Sequence, residues 1–254
     1  MLNCKSCGFC YSKQMQKNVW EKEYQNPRLV TGSHEPQSSV KDFLRWLRRE
    51  QKLPVENIRA IDLGCGNGKN SNYIAELDFG NNVVGVDISE TALKQARFRA
   101  HELTEQEKIG AMQTSFENRS IGEPLPFADH LFDIALDVTS SNSLSEKERA
   151  IYVGEVHRIL KIGGYFFVRA LCKDGDKNAA ALLASNPGRE PDTYILPEMG
   201  LAERVFTRED FIATYTNQTG ANFKILHLKK ETHYTKFNGR SYKRNFWVAY
   251  LKKV

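Results

Sequence analysis

The stretch Ile61-Asp62-Leu63-Gly64-Cys65-Gly66-Asn67-Gly68 leads from a short apolar strand, Ala60-Ile61-Asp62-Leu63, through three alternating glycines into a helical pattern carrying Tyr73, Ile74 and Leu77. Glycines in this arrangement let a backbone turn sharply and meet a ligand without an intervening Cβ. The helix beyond them begins with N–H groups that have no partner within the helix. Nineteen residues after Gly68, at the end of the next apolar run Val83–Ile88, stands Asp87, whose carboxylate can accept from both hydroxyls of a ribose. Together, bend and acid describe a nucleoside site.

Outward from this stretch the chain alternates apolar runs with helical periodicity, which predicts an α/β fold built of βα units around a mostly parallel, buried sheet. Further strands are expected at Ala111–Phe116, Phe132–Val138 and Tyr165–Leu171. The helix between the last two opens on the capping-box pattern Ser145-Glu146-Lys147-Glu148 and buries Ile151, Val156, Ile159 and Leu160 before Gly163-Gly164 ends it. Thr207-Arg208-Glu209-Asp210 caps another helix. The β-rich segments Phe223–Tyr234 and Ser241–Leu251 flank Asn238-Gly239, a strong hairpin signal, so the sheet is expected to end in an antiparallel pair. Residues 172–203, with prolines and a short Ala-Leu helix, read as an insertion. Upstream, Val40, Phe43, Leu44 and Leu47 recur at helical spacing and stop by Leu53-Pro54, which makes residues 21–58 a helical cap and residues 1–20 a cysteine-containing tail or small metal-binding segment.

Composition sets the outer bounds. With 254 residues, 41% hydrophobic and 26% charged, the chain suits one large domain with a small appendage, here residues 59–254. Its longest apolar runs, such as Tyr165–Val168, fall far short of the roughly 20 residues of a membrane span. The N-terminus MLNCKSCGFC lacks an apolar signal core, so a cytoplasmic protein is expected. The net charge of +5 does not by itself announce nucleic-acid binding. It is uneven, however: from Phe223 onward seven lysines and two arginines face the single acid Glu231.

Two nucleoside cofactors compete for the glycine site. Dinucleotide enzymes favour G-x-G-x-x-G, whereas this chain has G-x-G-x-G preceded by Asp62. An acid at that point is unfavourable to a pyrophosphate and suits a ligand with an ammonium group. This favours S-adenosylmethionine over NAD. The residues resemble the class I S-adenosylmethionine-dependent methyltransferases of small-molecule type, from about Arg59 to Leu171. The resemblance includes Asp62–Gly68, Val86-Asp87-Ile88-Ser89, Leu125-Pro126-Phe127 with Phe132-Asp133-Ile134, and Arg158–Gly164, in that order. Ile162 departs from the proline usual there.

The resemblance implies a Rossmann-like, seven-stranded, mostly parallel sheet with helices on both faces and a C-terminal antiparallel β-hairpin. It implies that Gly64, Cys65, Gly66 and Gly68 approach the methionine and ribose portions, with Asp62 supporting the loop and Asp87 holding the ribose. Ile88 would pack on the adenine, Ser115 or Phe116 would border its other side, and Asp137, Val138 and Thr139 would line the junction of donor and acceptor. Asp137 is also a candidate catalytic residue there, with a second reading as a cap of the following loop. Trp20 and Tyr24 are expected to roof the cleft, with plain core packing as the alternative.

The remaining candidates are weaker signals. Cys4, Cys7 and Cys10 have metal-ligand spacing, and zinc there would need a fourth ligand, with His34 the nearest candidate. The alternative is a thiol-bearing tail. Cys65 reads as a small loop filler. His227 and His233 fall on one strand face, and His233 is a candidate base at the mouth of the site. Methyl transfer needs positioning above all, so no obligatory catalytic side chain follows from the sequence. The end of the fourth strand, Asp137-Val138-Thr139-Ser140, lacks the Asn/Asp-Pro-Pro-Tyr of amino-adenine methylation, and neither Cys65 nor Cys172 follows the proline usual for cytosine C5 methylation. A small-molecule O-, N- or S-acceptor is therefore favoured. An RNA (tRNA or rRNA) methyltransferase using the cysteines and the basic hairpin is the alternative, and a non-catalytic cofactor- or zinc-binding interaction protein is a third. The acceptor's identity and the oligomeric state are not written in these motifs.

Overall fold

Leu63 at the end of the first strand pairs in parallel with Val86 on one side and with Asp137 on the other, and this double pairing sets the centre of the sheet. The computed structural model describes residues 13–29, 31, 33–54, 56–78, 80–216, 221–237 and 239–254. In chain order the helices are α1 (Lys13–Gln25), α2 (Ser38–Glu50), α3 (Lys69–Glu76), α4 (Glu90–Glu105), α5 (Glu146–Ile159), α6 (Lys177–Ser185) and α7 (Arg208–Thr216). The main strands are β1 (Arg59–Leu63), β2 (Asn82–Asp87), β3 (Thr114–Asn118), β4 (Phe132–Val138), β5 (Leu160–Leu171), β8 (Phe223–Phe237) and β9 (Arg240–Lys253). A separate two-stranded ribbon joins β6 (Thr193–Leu196) to β7 (Leu201–Arg204).

The seven main strands lie in the order β3-β2-β1-β4-β5-β9-β8. The first five are parallel, and β9 runs antiparallel between β5 and β8. The strand order reverses between β1 and β4, and a ligand crevice opens at the carboxyl ends of strands at such a point. On one face, Ile61, Phe166 and Phe223 pack with Tyr152 and Val156 of α5 and with Phe211 and Tyr215 of α7. On the other, Ala60, Ile134 and Phe167 meet Phe43 of α2, Ile74 of α3 and Leu103 of α4. Phe43 has its ring centroid 5.3 Å from that of Phe167 and 5.0 Å from that of Tyr250. Truncating such a buried ring to alanine costs about 3–5 kcal/mol.

A third cluster, with Leu171, Ala179, Tyr194, Leu201 and Phe246, lies under the insertion, and Val19, Trp20 and Leu29 pack against it. The insertion thus consists of α6 and the β6–β7 ribbon, and it meets the N-terminal segment over the crevice.

Four local expectations are revised. Helix α1 crosses the boundary expected at residue 20, because its mostly polar sequence docks on α4 and the insertion and hides few apolar groups. The third strand begins at Thr114, because Ala111 and Met112 form an exposed turn and parallel pairing starts with Val83 opposite Thr114. Helix α5 stops at Ile159, and Gly163-Gly164 lies inside β5, where Gly163 takes φ +79° beside a register shift. Leu160 is accordingly a strand residue that pairs with Phe132. Among the expected caps, Ser145 forms the full capping box with Glu148, and Thr207 Oγ1 accepts from Asp210 N at 3.1 Å.

Candidate active site

At the end of β1 the chain bends, and Gly64 N and Cys65 N both donate to the Val86 carbonyl, at 2.7 and 3.0 Å. Gly66 N donates to Asp87 Oδ2 at 2.8 Å, while Ser89 N donates to Asp87 Oδ1 at 2.8 Å. One carboxylate therefore clamps the glycine loop to the start of α4. A carboxylate offers about four lone-pair positions, so acceptor capacity remains after these two bonds. Burial pushes the Asp87 carboxyl up to about 6, against the bonds from Ser89 and Gly66.

The glycines are there for contact. A Cβ on Gly64 would stand 2.2 Å from Ser140 Oγ, and one on Gly66 would stand 2.1 Å from the Tyr24 hydroxyl. Gly68, at φ +75°, lies instead against Ala96 and Phe116 and is not part of the cavity wall.

A cavity of about 600 Å³ opens over this bend. Its floor is formed by Gly64, Cys65 and Gly66, the end of β2 (Asp87, Ile88), and the end of β4 (Val138, Thr139, Ser140). Residues Arg119–Ile121 supply another wall. Gln16, Trp20 and Tyr24 of α1 roof it, while α6 and the β8–β9 hairpin close the far end with Leu182, His233, Tyr242 and Phe246.

Helix α1 is held over the site by specific bonds. The Glu21 carboxylate accepts from Ser89 Oγ, Glu90 N and Thr91 N at the start of α4. Gln16 Nε2 donates to the Ser143 carbonyl at 2.6 Å, and Gln95 Nε2 to the Tyr24 carbonyl at 3.1 Å. Beneath it, Asn67 Nδ2 donates to the carbonyls of Thr31 and Ser33. Glu23 is fully buried and gathers Arg28 N, Leu29 N and Thr31 Oγ1.

Several expected site residues lie elsewhere. Asp62 is buried behind the loop, where it accepts from Ser71 Oγ at 2.7 Å, and burial pushes it up to about 7. Ser115 and Phe116 do not border the cavity: β3 extends two residues further, Ser115 is exposed, and Phe116 fills the space left by Gly68 and Gly85. Arg119, Ser120 and Ile121 take the wall position instead. Asp137 is fully buried below the surface and acts as a cap, accepting from Ser140 N at 2.8 Å and the Tyr152 hydroxyl at 2.9 Å. Its neighbour Thr139 does line the cavity, at φ +63°, a strained position for a β-branched residue and of the kind found at functional sites.

Cys65 is buried with its sulfur over Gly85, and burial holds its thiol well above the ordinary value, so it is not a poised nucleophile. His233 borders the cavity and bonds Glu231 at 3.0 Å, whereas His227 stacks on Tyr250. Cys4, Cys7 and Cys10 lie outside the described residues, and among the described residues no group of three His, Cys, Asp or Glu could hold a metal ion. Nor, among them, is any helix long and apolar enough to cross a membrane.

The family described as "Methyltransferase domain" matches residues 54–213, which include the floor of this crevice and the wall at Arg119–Ile121. The chain belongs to that family. A methyltransferase of Synechocystis sp. is 31% identical over 124 residues, 46% of this chain and 52% of that protein. The chain spans about half or less of the length of the curated relatives it matches. Among solved methyltransferase structures, an S-adenosylmethionine-dependent methyltransferase from Methanosarcina mazei superposes with TM-score 0.68 at 24% identity, covering 80% of this chain and 95% of that one. The 1,6-didemethyltoxoflavin-N1-methyltransferase of Burkholderia thailandensis, with 1,6-didemethyltoxoflavin and S-adenosylhomocysteine bound, gives TM-score 0.66 at 17% identity over 95% of this chain and 88% of that one. At these identities the solved methyltransferases share the fold.

Proposed function

We propose that this methyltransferase-family protein transfers a methyl group from S-adenosylmethionine to a nucleophilic oxygen, nitrogen or sulfur of a small molecule. The observation that carries this reading is the 2.8 Å bond between Gly66 N and Asp87 at the floor of a cavity whose glycines leave no Cβ in the way. The residues present fit the cofactor. Asp87 retains acceptor capacity for ribose hydroxyls, and Ile88 and Ile121 offer apolar edges for a base. When bound, S-adenosylmethionine supplies an already electrophilic methyl group on its sulfonium.

What the chain contributes is placement. Val138, Thr139 and Ser140, at the end of β4, form the junction between the cofactor wall and the far half of the cavity. Tyr24 and Trp20 cover it from above, which excludes water and holds the two reactants in one orientation. The cavity falls within the range of roughly 300–1,000 Å³ typical of small-molecule sites, and its closure by α1, α6 and the hairpin favours a small acceptor over an RNA strand.

Calorimetry with S-adenosylmethionine and NAD, followed by mass spectrometry of extracts incubated with isotopically labelled methyl donor, tests the proposal. Binding of the first ligand and appearance of a labelled metabolite are expected. A preference for NAD, or label found only in RNA, overturns it.

A further inference from the structure

Four cations line the cavity: Lys69, Arg119, Arg169 and Arg244. Two are neutralised. Arg119 Nε lies 3.1 Å from Glu117, and Arg244 Nε lies 3.1 Å from Asp176 while its other end donates to the Tyr194 hydroxyl. Arg169 and Lys69 form no ion pair among the described residues. Arg169 exposes only 7% of its surface, and its Nε has no hydrogen-bond partner. Its guanidinium carbon sits 3.4 Å from the centroid of the Phe246 ring. Face-on stacking of that kind occupies the flat side of the group and leaves the in-plane N–H edge for an acceptor.

The carboxylates nearby are already engaged. Glu231, whose charge acts on Arg169, bonds Lys229 at 2.6 Å and His233 at 3.0 Å, and Glu203 accepts from the Tyr194 hydroxyl at 2.7 Å. Lys69, the first residue of α3, faces the same space; burial and then the charge of Arg169 hold it below the usual lysine range. Burial likewise pulls Arg169 down to about 10. Burial of a guanidinium with no direct ion-pair partner is costly, the charge of Glu231 offsets only part of that cost, and an incoming anion relieves more of it.

Position indicates whose anion it is. Asp87 ends β2, and β5 lies three strands away in the order β2-β1-β4-β5, about 15 Å at the usual strand spacing. Arg169 therefore stands beyond Val138 and Thr139, on the side opposite the cofactor wall, among Trp20, Leu171 and Phe246. On the methyltransferase reading above, we propose that Arg169, assisted by Lys69, forms a carboxylate-binding subsite for the methyl acceptor, which is a small apolar acid. The planar fork of the guanidinium matches a carboxylate in bidentate fashion, and the apolar side chains around it hold the rest of the molecule.

Benzoate, 1-naphthoate and octanoate, each paired with its neutral primary amide, serve as probes. They are titrated calorimetrically into the protein with and without saturating S-adenosylhomocysteine. The acids should bind and the amides should bind about tenfold more weakly or worse. In R169M, acid affinity should fall by about tenfold while S-adenosylhomocysteine affinity, which also reports a folded site, is unchanged. R169K, which keeps the charge and loses the fork, should recover part of the acid affinity. Equal binding of acids and amides, or acid binding unaltered in R169M, overturns the subsite. So does a tenfold loss of S-adenosylhomocysteine affinity in R169M, since that would assign the guanidinium to the amino-acid carboxylate of the cofactor. If the wild type prefers acids and does not bind S-adenosylhomocysteine, the subsite stands and the methyltransferase reading falls.

Discussion

Replacing Gly66 by alanine introduces two separable penalties. The residue has φ +56°, where an L side chain costs about 1–2 kcal/mol. The new Cβ would also stand 2.1 Å from the Tyr24 hydroxyl, an overpacking of the kind that costs about 1–3 kcal/mol. The second penalty depends on one oxygen atom. With Tyr24 replaced by Phe, the nearest remaining ring atom is 3.1 Å from that Cβ, a contact that a small shift relieves. Gly66→Ala should therefore destabilise the wild type by about 2–5 kcal/mol and the Tyr24→Phe protein by only about 1–2 kcal/mol. Urea denaturation of the four proteins closes the double-mutant cycle, with hydrogen exchange over residues 13–25 to detect retreat of α1. Retreat is not free, because Glu21, Gln16 and Gln95 anchor that helix. A coupling energy under about 0.5 kcal/mol, with α1 protection unchanged, would refute the placement of Tyr24 against the glycine loop.

Three further outcomes follow from the same geometry. Glu21→Ala removes the acceptor for Ser89 Oγ, Glu90 N and Thr91 N and should cost about 1 kcal/mol, read as faster hydrogen exchange in α1 and at the start of α4. Burial pushes the carboxyls of Asp62 and Asp87 up to about 7 and about 6, from 3.8 for the free side chain. The native state then binds more protons than the unfolded state, so the stability of the ligand-free protein should fall as pH rises from about 4 through 7. Stabilisation by S-adenosylmethionine should grow over the same interval, because ribose hydroxyls donate best to an ionised Asp87; differential scanning fluorimetry across pH checks both slopes, and a flat response contradicts the buried-acid assignment. Asp137→Asn keeps an acceptor for Ser140 N and a partner for the Tyr152 hydroxyl. Methyl transfer should survive it within a few-fold, and a folded variant with no turnover would restore Asp137 as a catalytic group.

The parts of this site that could be read in the sequence are those where backbone geometry restricts residue type. Gly64 and Gly66 stand where a Cβ would strike Ser140 or Tyr24, and the acid that meets Gly66 N sits at the end of the next strand, as the spacing implied. The parallel sheet was likewise legible from βα alternation and its antiparallel end from the Asn-Gly pair in the sequence; Asn238 lies outside the described residues, while Phe237 and Arg240 on either side of the pair face each other across the two strands. What escaped depends on register or on distant contacts. A start three residues later moved the third strand's end from Phe116 to Asn118 and exchanged Ser115 and Phe116 for Arg119–Ile121. Arg169 lies within an apolar run, and its significance appears only once Phe246, brought in by β9, stacks on it. The insertion is organised by pairs such as Arg244 with Asp176, separated by 68 positions, which no local pattern announces. Asp137 was legible as an acid near the junction, but its burial beneath the floor came from the Tyr152 hydroxyl and the turn above it.

Helix α1 touches the glycine loop, the start of α4 and the apolar cluster beneath the insertion. Any molecule held in the crevice shares that roof, so its escape is timed by how often the roof lifts as well as by its own grip on the floor. Glu21, outside the cavity wall, is one of the anchors that oppose such lifting. Loosening Glu21 therefore bears on how long a molecule is retained while every group that lines the cavity keeps its identity.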